Sequence, residues 1–267
     1  MRLLTPILPD ARAPLARANP TAKLGAAFVL LIALFASLDG ITALVVLAGL
    51  LALLPVAGVS IGALAGRAWL IGLAAISIAI VNVLFAPEQV GPTVLQVGPI
   101  TIGAETLLDG LGLALRLVAI ALAGVLATVT SQPTDLADSL VQQLRVSPRF
   151  AIGALAALRL LPLFAAEWQT IAMARRARGV DAGRSPVAGV RLFVGQLLAL
   201  LVGAIRRGSR MALAMEARGF GALPTRTVAR VQRVTAGDWA WIAGAVLLAA
   251  TAIGLSVMLG PWRPLLG

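Results

Sequence analysis

Ala68-Trp69-Leu70-Ile71-Gly72-Leu73-Ala74-Ala75-Ile76-Ser77-Ile78-Ala79-Ile80-Val81-Asn82-Val83-Leu84-Phe85-Ala86 carries no ionisable side chain. Wound as a helix at ~1.5 Å per residue, it rises about 28 Å, close to the ~30 Å hydrocarbon thickness of a bilayer. The rest of the chain agrees with it. Of its 267 residues, 60% are hydrophobic and 12% charged, with a mean hydropathy of +0.97. An average soluble domain carries roughly 25% charged residues, so this composition predicts an all-α membrane protein in a lipid bilayer.

Outward from that stretch, apolar runs recur. Residues 21–38 and 41–57 flank Asp39-Gly40, a pair with strong turn chemistry, and read as a short helical hairpin. Residues 110–129 and 238–259 supply two more spans, making about five. Between residues 87 and 109 lie Glu88, Glu105 and Asp109 with no Lys or Arg, which reads as an external loop. Residues 1–20 are Pro-rich, carry Arg2, Arg12 and Arg17, and read as a cytoplasmic lead-in rather than a cleaved signal.

Of the 22 basic residues, 15 fall between Arg145 and Arg233, all of them Arg. Cytoplasmic loops collect such residues, so residues 131–235 are expected inside with the N-terminus, and the C-terminus outside. The expected division is therefore 1–130 as N-terminal membrane helices, 131–235 as a cytoplasmic module, and 236–267 as the last span. Residues 187–205 are apolar enough to be a sixth span. Equal basicity on both flanks, with Arg191 and Gln196 interrupting the run, favours a helix lying under the bundle.

The chain has no Cys, His or Tyr, which removes disulfides, thiolate nucleophiles, imidazole bases and most transition-metal sites. Its single lysine, Lys23, follows Ala22 and precedes Leu24 rather than closing a Gly-rich loop, so there is no phosphate cradle for ATP. No catalytic residue, cofactor or metal ligand is expected. The net charge of +11 records topology rather than nucleic-acid binding. A self-sufficient secondary transporter or a membrane-bound enzyme is the competing class. It would need Asp, Glu or His within its spans, or a base beside a nucleophile, and residues 68–86 and 239–259 offer neither. Arg116 is the one charge inside residues 110–129, with Asp109 one to two turns away as the expected partner, unless it pairs with another chain or snorkels. Pro162 is expected to break or kink a helical pattern.

Two tripeptides stand out in the basic block. Met173-Ala174-Arg175-Arg176-Ala177-Arg178-Gly179 and Met211-Ala212-Leu213-Ala214-Met215-Glu216-Ala217-Arg218-Gly219-Phe220 each close a helical pattern in Ala-Arg-Gly. Gly stops a helix by taking the left-handed conformation, and Ala leaves room for a close approach. An Arg in the last turn suits the negative end of the helix dipole and offers a planar fork to a carboxylate or carbonyl. A single copy would be no more telling than an arginine at the lipid surface. Most of the neighbouring arginines, among them Arg175, Arg176, Arg206, Arg207 and Arg210, read as topology determinants or membrane-surface contacts.

The paired motifs resemble those of the T component of energy-coupling factor transporters, importers of vitamins and of nickel or cobalt. Asn19-Pro20-Thr21-Ala22-Lys23-Leu24 is similar to that family's entry into its first helix, and Leu158-Arg159-Leu160-Leu161-Pro162-Leu163 to its mid-region motif. The resemblance implies a non-catalytic subunit of a prokaryotic plasma membrane. It implies that two P-loop ATPase subunits dock at Ala177, Arg178 and Gly179 and at Ala217, Arg218 and Gly219. It also implies a separate membrane-embedded substrate-binding S subunit that releases cargo when the coupling helices move. The extra Arg175 and Arg176 of the first motif leave open a further contact with a partner.

Overall fold

The computed structural model describes residues 13–59, 61–86, 89–97, 100–180, 183, 185–221, 228, 230–260 and 262. Arg2, Arg12 and Glu88 of the sequence reading lie outside them. In chain order the elements are α1 (Pro14–Arg17), α2 (Pro20–Ala36), α3 (Gly40–Ala52), α4 (Leu54–Ala57) and α5 (Ile61–Leu84). Then come strands β1 (Thr93–Val97) and β2 (Ile100–Gly103), and helices α6 (Ala104–Val129), α7 (Pro133–Gln143), α8 (Pro148–Ala177), α9 (Pro186–Ala217) and α10 (Ala236–Leu259). The chain divides into two compact units, Met1–Ser139 with Gln232–Gly267, and Leu140–Val231.

The first unit holds the five expected membrane helices, α2, α3, α5, α6 and α10. Its core is a seam of small and branched residues: Leu30, Ala33 and Leu34 of α2, Ala43, Val46 and Leu50 of α3, Ala119, Leu122 and Leu126 of α6, and Ala245, Ala249 and Ala252 of α10. Large apolar side chains such as Phe28, Ile32, Phe35, Leu73 and Ile76 point outward. Lipid imposes no penalty on exposed apolar groups, so helix association there rests on close packing, which small residues permit. Gly40 of α3 and Gly112 of α6 meet backbone to backbone; a Cβ on Gly112 would lie 3.0 Å from the Gly40 Cα.

The expected turn at Asp39-Gly40 is present and buried, but α2 and α3 do not pair as a hairpin: each packs on α6 and α10 rather than on the other. Asp39 caps α3 by accepting from the Thr42 N–H at 2.6 Å, and it also accepts from the Ser37 hydroxyl. Arg116 resolves differently from the sequence expectation. Its guanidinium is buried and donates to the Ser37 carbonyl, within the field of Asp39, rather than turning to Asp109. The reason is depth. Gly112 faces the turn, so the side chain one helical turn further along α6 reaches the carbonyls that end α2.

The loop before α6 is more ordered than the sequence suggests. β1 and β2 pair antiparallel, with Thr93 opposite Gly103 and Val97 opposite Ile100. The alternating, β-branched Thr-Val-Leu-Gln-Val and Ile-Thr-Ile segments account for the pairing. Gln89 fastens this hairpin to the helices, donating to the Val83 carbonyl at 3.0 Å and accepting from the Gly103 N–H at 3.1 Å.

At the opposite end of the bundle three helix ends meet. Asn19 caps α2 by accepting from the Thr21 N–H at 2.9 Å, with Pro20 opening the helix. Thr235 and Asp238 form a reciprocal capping box on α10. Thr130 ends α6.

By length and apolar content, α6, α8, α9 and α10 could each cross a membrane, whereas α2, α3 and residues 69–84 are shorter apolar helices. The two long helices of the second unit, α8 and α9, thus join the candidate spans. Pro162 does not break α8, which runs unbroken through it. One lost backbone hydrogen bond is carried by a 30-residue helix whose Pro162 is flanked by the strong helix formers Leu161 and Leu163.

Candidate functional site

The second unit is built on α8 and α9, which run antiparallel along each other. Near their middles, Glu167 accepts from Arg207 at 3.1 Å, the Arg207 guanidinium stands 5.5 Å from the Phe164 ring centroid, and the Trp168 and Phe193 rings lie 5.3 Å apart. Gln196, buried, donates to the Trp168 carbonyl at 2.8 Å. Further along α8, Arg175 donates to the Leu192 carbonyl at 2.8 Å. Arg175 and Arg207 are therefore internal ties between the two helices, not membrane-surface charges. Their signal in sequence was weak, because Glu167 and Arg207 are 40 positions apart and a basic block offers many indistinguishable arginines.

Both Ala-Arg-Gly tripeptides end their helices in the same way. Ala177 is the last residue of α8, Arg178 follows at φ −90°, and Gly179 at φ 72°. The Gly179 N–H bonds to the Arg176 carbonyl at 2.9 Å and the Val180 N–H to the Arg175 carbonyl at 3.0 Å. On α9, Ala217 is followed by Arg218 at φ −88° and Gly219 at φ 78°. Gly219 N–H bonds to the Glu216 carbonyl at 2.9 Å and Phe220 N–H to the Met215 carbonyl at 3.0 Å. These are two copies of a Schellman cap, in which a left-handed glycine lets the chain fold back on the last carbonyls.

Residues 177–179 and 217–219 are exposed. Among the described residues neither the Arg178 nor the Arg218 guanidinium has a hydrogen-bond or ionic partner, so each tip presents one free guanidinium beside a blunt helix end. The tips differ in their surroundings. Val180 follows the first, whereas the second is backed by a cleft of about 350 Å³ lined by Arg149, Ala156, Met211, Met215 and Phe220 among others. Because α8 and α9 are antiparallel, with Arg149 close to Gly221, the tips stand at opposite ends of the pair, on the order of 40 Å apart at ~1.5 Å per residue.

The mid-region motif Leu158–Leu163 lies within α8, where Leu158, Leu161 and Leu163 are exposed, as are Leu197, Leu198, Leu201 and Val202 of α9. Two helices thus carry apolar faces that their own unit does not cover, a mark of contact with lipid or protein.

Residues 11–228 match the model of the CbiQ family, described as cobalt transport protein. The energy-coupling factor transporter transmembrane protein EcfT of Bacillus subtilis is 32% identical over 168 residues, covering 60% of this chain and 63% of that protein. The EcfT 1 protein of Listeria monocytogenes is 32% identical over 187 residues, covering 67% and 68%. That of Lacticaseibacillus paracasei is 31% identical over 242 residues, covering 87% and 90%. The family match begins ahead of α2, runs past both capped tips and stops before α10. This chain belongs to the CbiQ family, and it is a transmembrane T component of an energy-coupling factor transporter.

Proposed function

We propose that this chain couples ATP hydrolysis by two partner P-loop ATPase subunits to cargo release by a membrane-embedded S subunit, and performs no catalysis itself. The observation that carries this reading is the pair of identically capped, exposed tips at opposite ends of one antiparallel helix pair. Two tips of one geometry suit two partners of one fold. Ala177 and Ala217 allow each helix end to enter a groove, and Arg178 and Arg218 meet carboxylates or carbonyls there. When the ATPases close on nucleotide, the tips are drawn together and α8 and α9 change their crossing. The uncovered apolar faces of those helices bear against the S subunit. In this reading residues 131–235 lie on the cytoplasmic side of a prokaryotic plasma membrane, together with the N-terminus, and the cargo is a vitamin or a transition-metal ion chosen by the S subunit.

Charge reversal at the tips tests it. A charge-assisted hydrogen bond contributes roughly 1.5–3 kcal/mol. Arg178→Glu or Arg218→Glu should therefore weaken capture of the co-expressed ATPases by one to two orders of magnitude, and the double variant should abolish it. Arg206→Glu and Arg210→Glu, exposed on α9, make the same charge change away from the tips and should cost less than about threefold. If all four single variants lose the ATPases equally, the block acts by general charge and the docking reading is wrong.

A further inference from the structure

We infer that Lys23 and Asp238 are positioning residues for coupling, clamping to α2 the two chain connections by which the helix pair carrying the tips is joined to the membrane helices. The inference rests on the coupling role proposed above. The chain passes between its two units only at Ser139–Leu140 and at Val231–Gln232, so any displacement carried along the backbone goes through residues 130–139 or 232–238.

Both connections are held at the start of α2. Lys23 Nζ donates to the Thr130 carbonyl, at the end of α6, at 2.7 Å, and to the Ala16 carbonyl at 3.5 Å. The carboxylates of Asp238 and of Asp135, the latter in the outgoing connection, both act on the Lys23 charge. The Asn19 N–H donates to Asp238 Oδ1 at 2.6 Å, and the Asn19 side chain donates to the Arg233 carbonyl at 3.4 Å, in the returning connection. Asp238 Oδ2 accepts from the Thr235 N–H at 2.7 Å and from its hydroxyl at 2.8 Å. Asn19, Lys23, Thr130 and Asp238 are all buried, each at 4–5% exposure.

Asn19 and Asp238 cap their helices, but capping needs neither Lys23 nor a bond from one helix end to another. A buried ionic network recovers little beyond its desolvation cost, and well-packed apolar residues often do as well. Its distinguishing property is direction. Apolar contacts tolerate sliding, because burial is non-directional, whereas the bonds to the Thr130 carbonyl and from the Asn19 N–H fix each connection in one register on α2. A push or twist arriving along α7 or along residues 232–235 is then passed to α2, α6 and α10 together, instead of being absorbed as slack.

The test uses the full chain co-expressed with its two ATPases and needs no knowledge of the cargo. Leu144→Cys and Leu247→Cys, both at exposed positions in a chain without native cysteine, take a spin-label pair spanning the outgoing connection. In the parent complex, addition of ATP with vanadate shifts the label distance. Lys23→Met and Asp238→Asn should keep ATP hydrolysis within about twofold and lose at least half of that shift, while Lys23→Arg, which keeps the cation, should retain it. A full shift in both variants overturns the inference. So does a loss of assembly, hydrolysis and shift in equal proportion with Lys23→Arg equally impaired, since that pattern belongs to a merely structural network. A parent chain that captures no ATPase, or whose labels ignore nucleotide, instead defeats the coupling role on which the inference rests.

Discussion

Gly179 and Gly219 decide whether the tips exist as shaped objects. Each has φ above 70°, and a Cβ at either would touch nothing within 4 Å. The cost of substitution is then purely conformational, about 1–2 kcal/mol for an L-residue in the left-handed region. Gly219→Ala should accordingly weaken ATPase binding by roughly 5- to 30-fold, the ratio that such an energy commands, with the membrane unit untouched. Gly208→Ala is the contrast. It also meets nothing within 4 Å but sits inside α9, where alanine is the better helix former by about 1 kcal/mol, so binding should be unchanged. Titration of the purified ATPase pair against each variant makes the comparison.

Between elements, α3 and α6 cross with backbone against backbone. A Cβ on Gly112 would lie 3.0 Å from the Cα and 3.2 Å from the N of Gly40, and neither is a flexible side-chain end that could step aside. Gly112→Ala must push the helices apart, and it disturbs the buried Arg116–Ser37 bond one turn further along α6. A loss of about 1–3 kcal/mol is expected from such overpacking. It should appear as a lower midpoint of thermal unfolding in detergent. Gly124→Ala, on the same helix with open space around it, should hold or raise that midpoint. Equal midpoints for the two variants would mean that the crossing is looser than its geometry indicates.

At the scale of the whole molecule, the second unit is expected on the cytoplasmic side of the bilayer. α8 and α9 are each long and apolar enough to cross, yet Arg residues flank them on both sides. If both helices lie against the cytoplasmic face, Ser185→Cys between them and Val228→Cys after them are both shielded from an impermeant thiol reagent in intact cells. If the pair crosses as a hairpin, Ser185→Cys labels from outside while Val228→Cys does not. If α9 alone crosses, Val228→Cys labels from outside while Ser185→Cys does not. Shielding at both positions, with labelling of each after permeabilisation, is the expected result. The absence of native cysteine makes the readout free of background.

What the sequence determined by itself is what depends on neighbours along the chain. Lipid as solvent follows from uncharged runs such as residues 68–86. The α2–α3 turn follows from Asp39-Gly40, and the two capped tips follow from Ala-Arg-Gly, because a Schellman cap closes within six residues. The β-hairpin before α6 is local too, since its β-branched alternation lies between residues 93 and 103, although charge alone marks that stretch only as an external loop. Tertiary structure alone decided which polar groups meet. Arg116 bonds to Ser37 across 79 positions, Lys23 to Thr130 across 107, and Asn19 to Asp238 across 219. The capping box Thr235-x-x-Asp238 can be read locally, but not that Asp238 also receives the Asn19 N–H, nor that Arg175 reaches across to the Leu192 carbonyl. In an apolar bundle burial selects these contacts, because a polar group there must find a partner wherever the fold provides one.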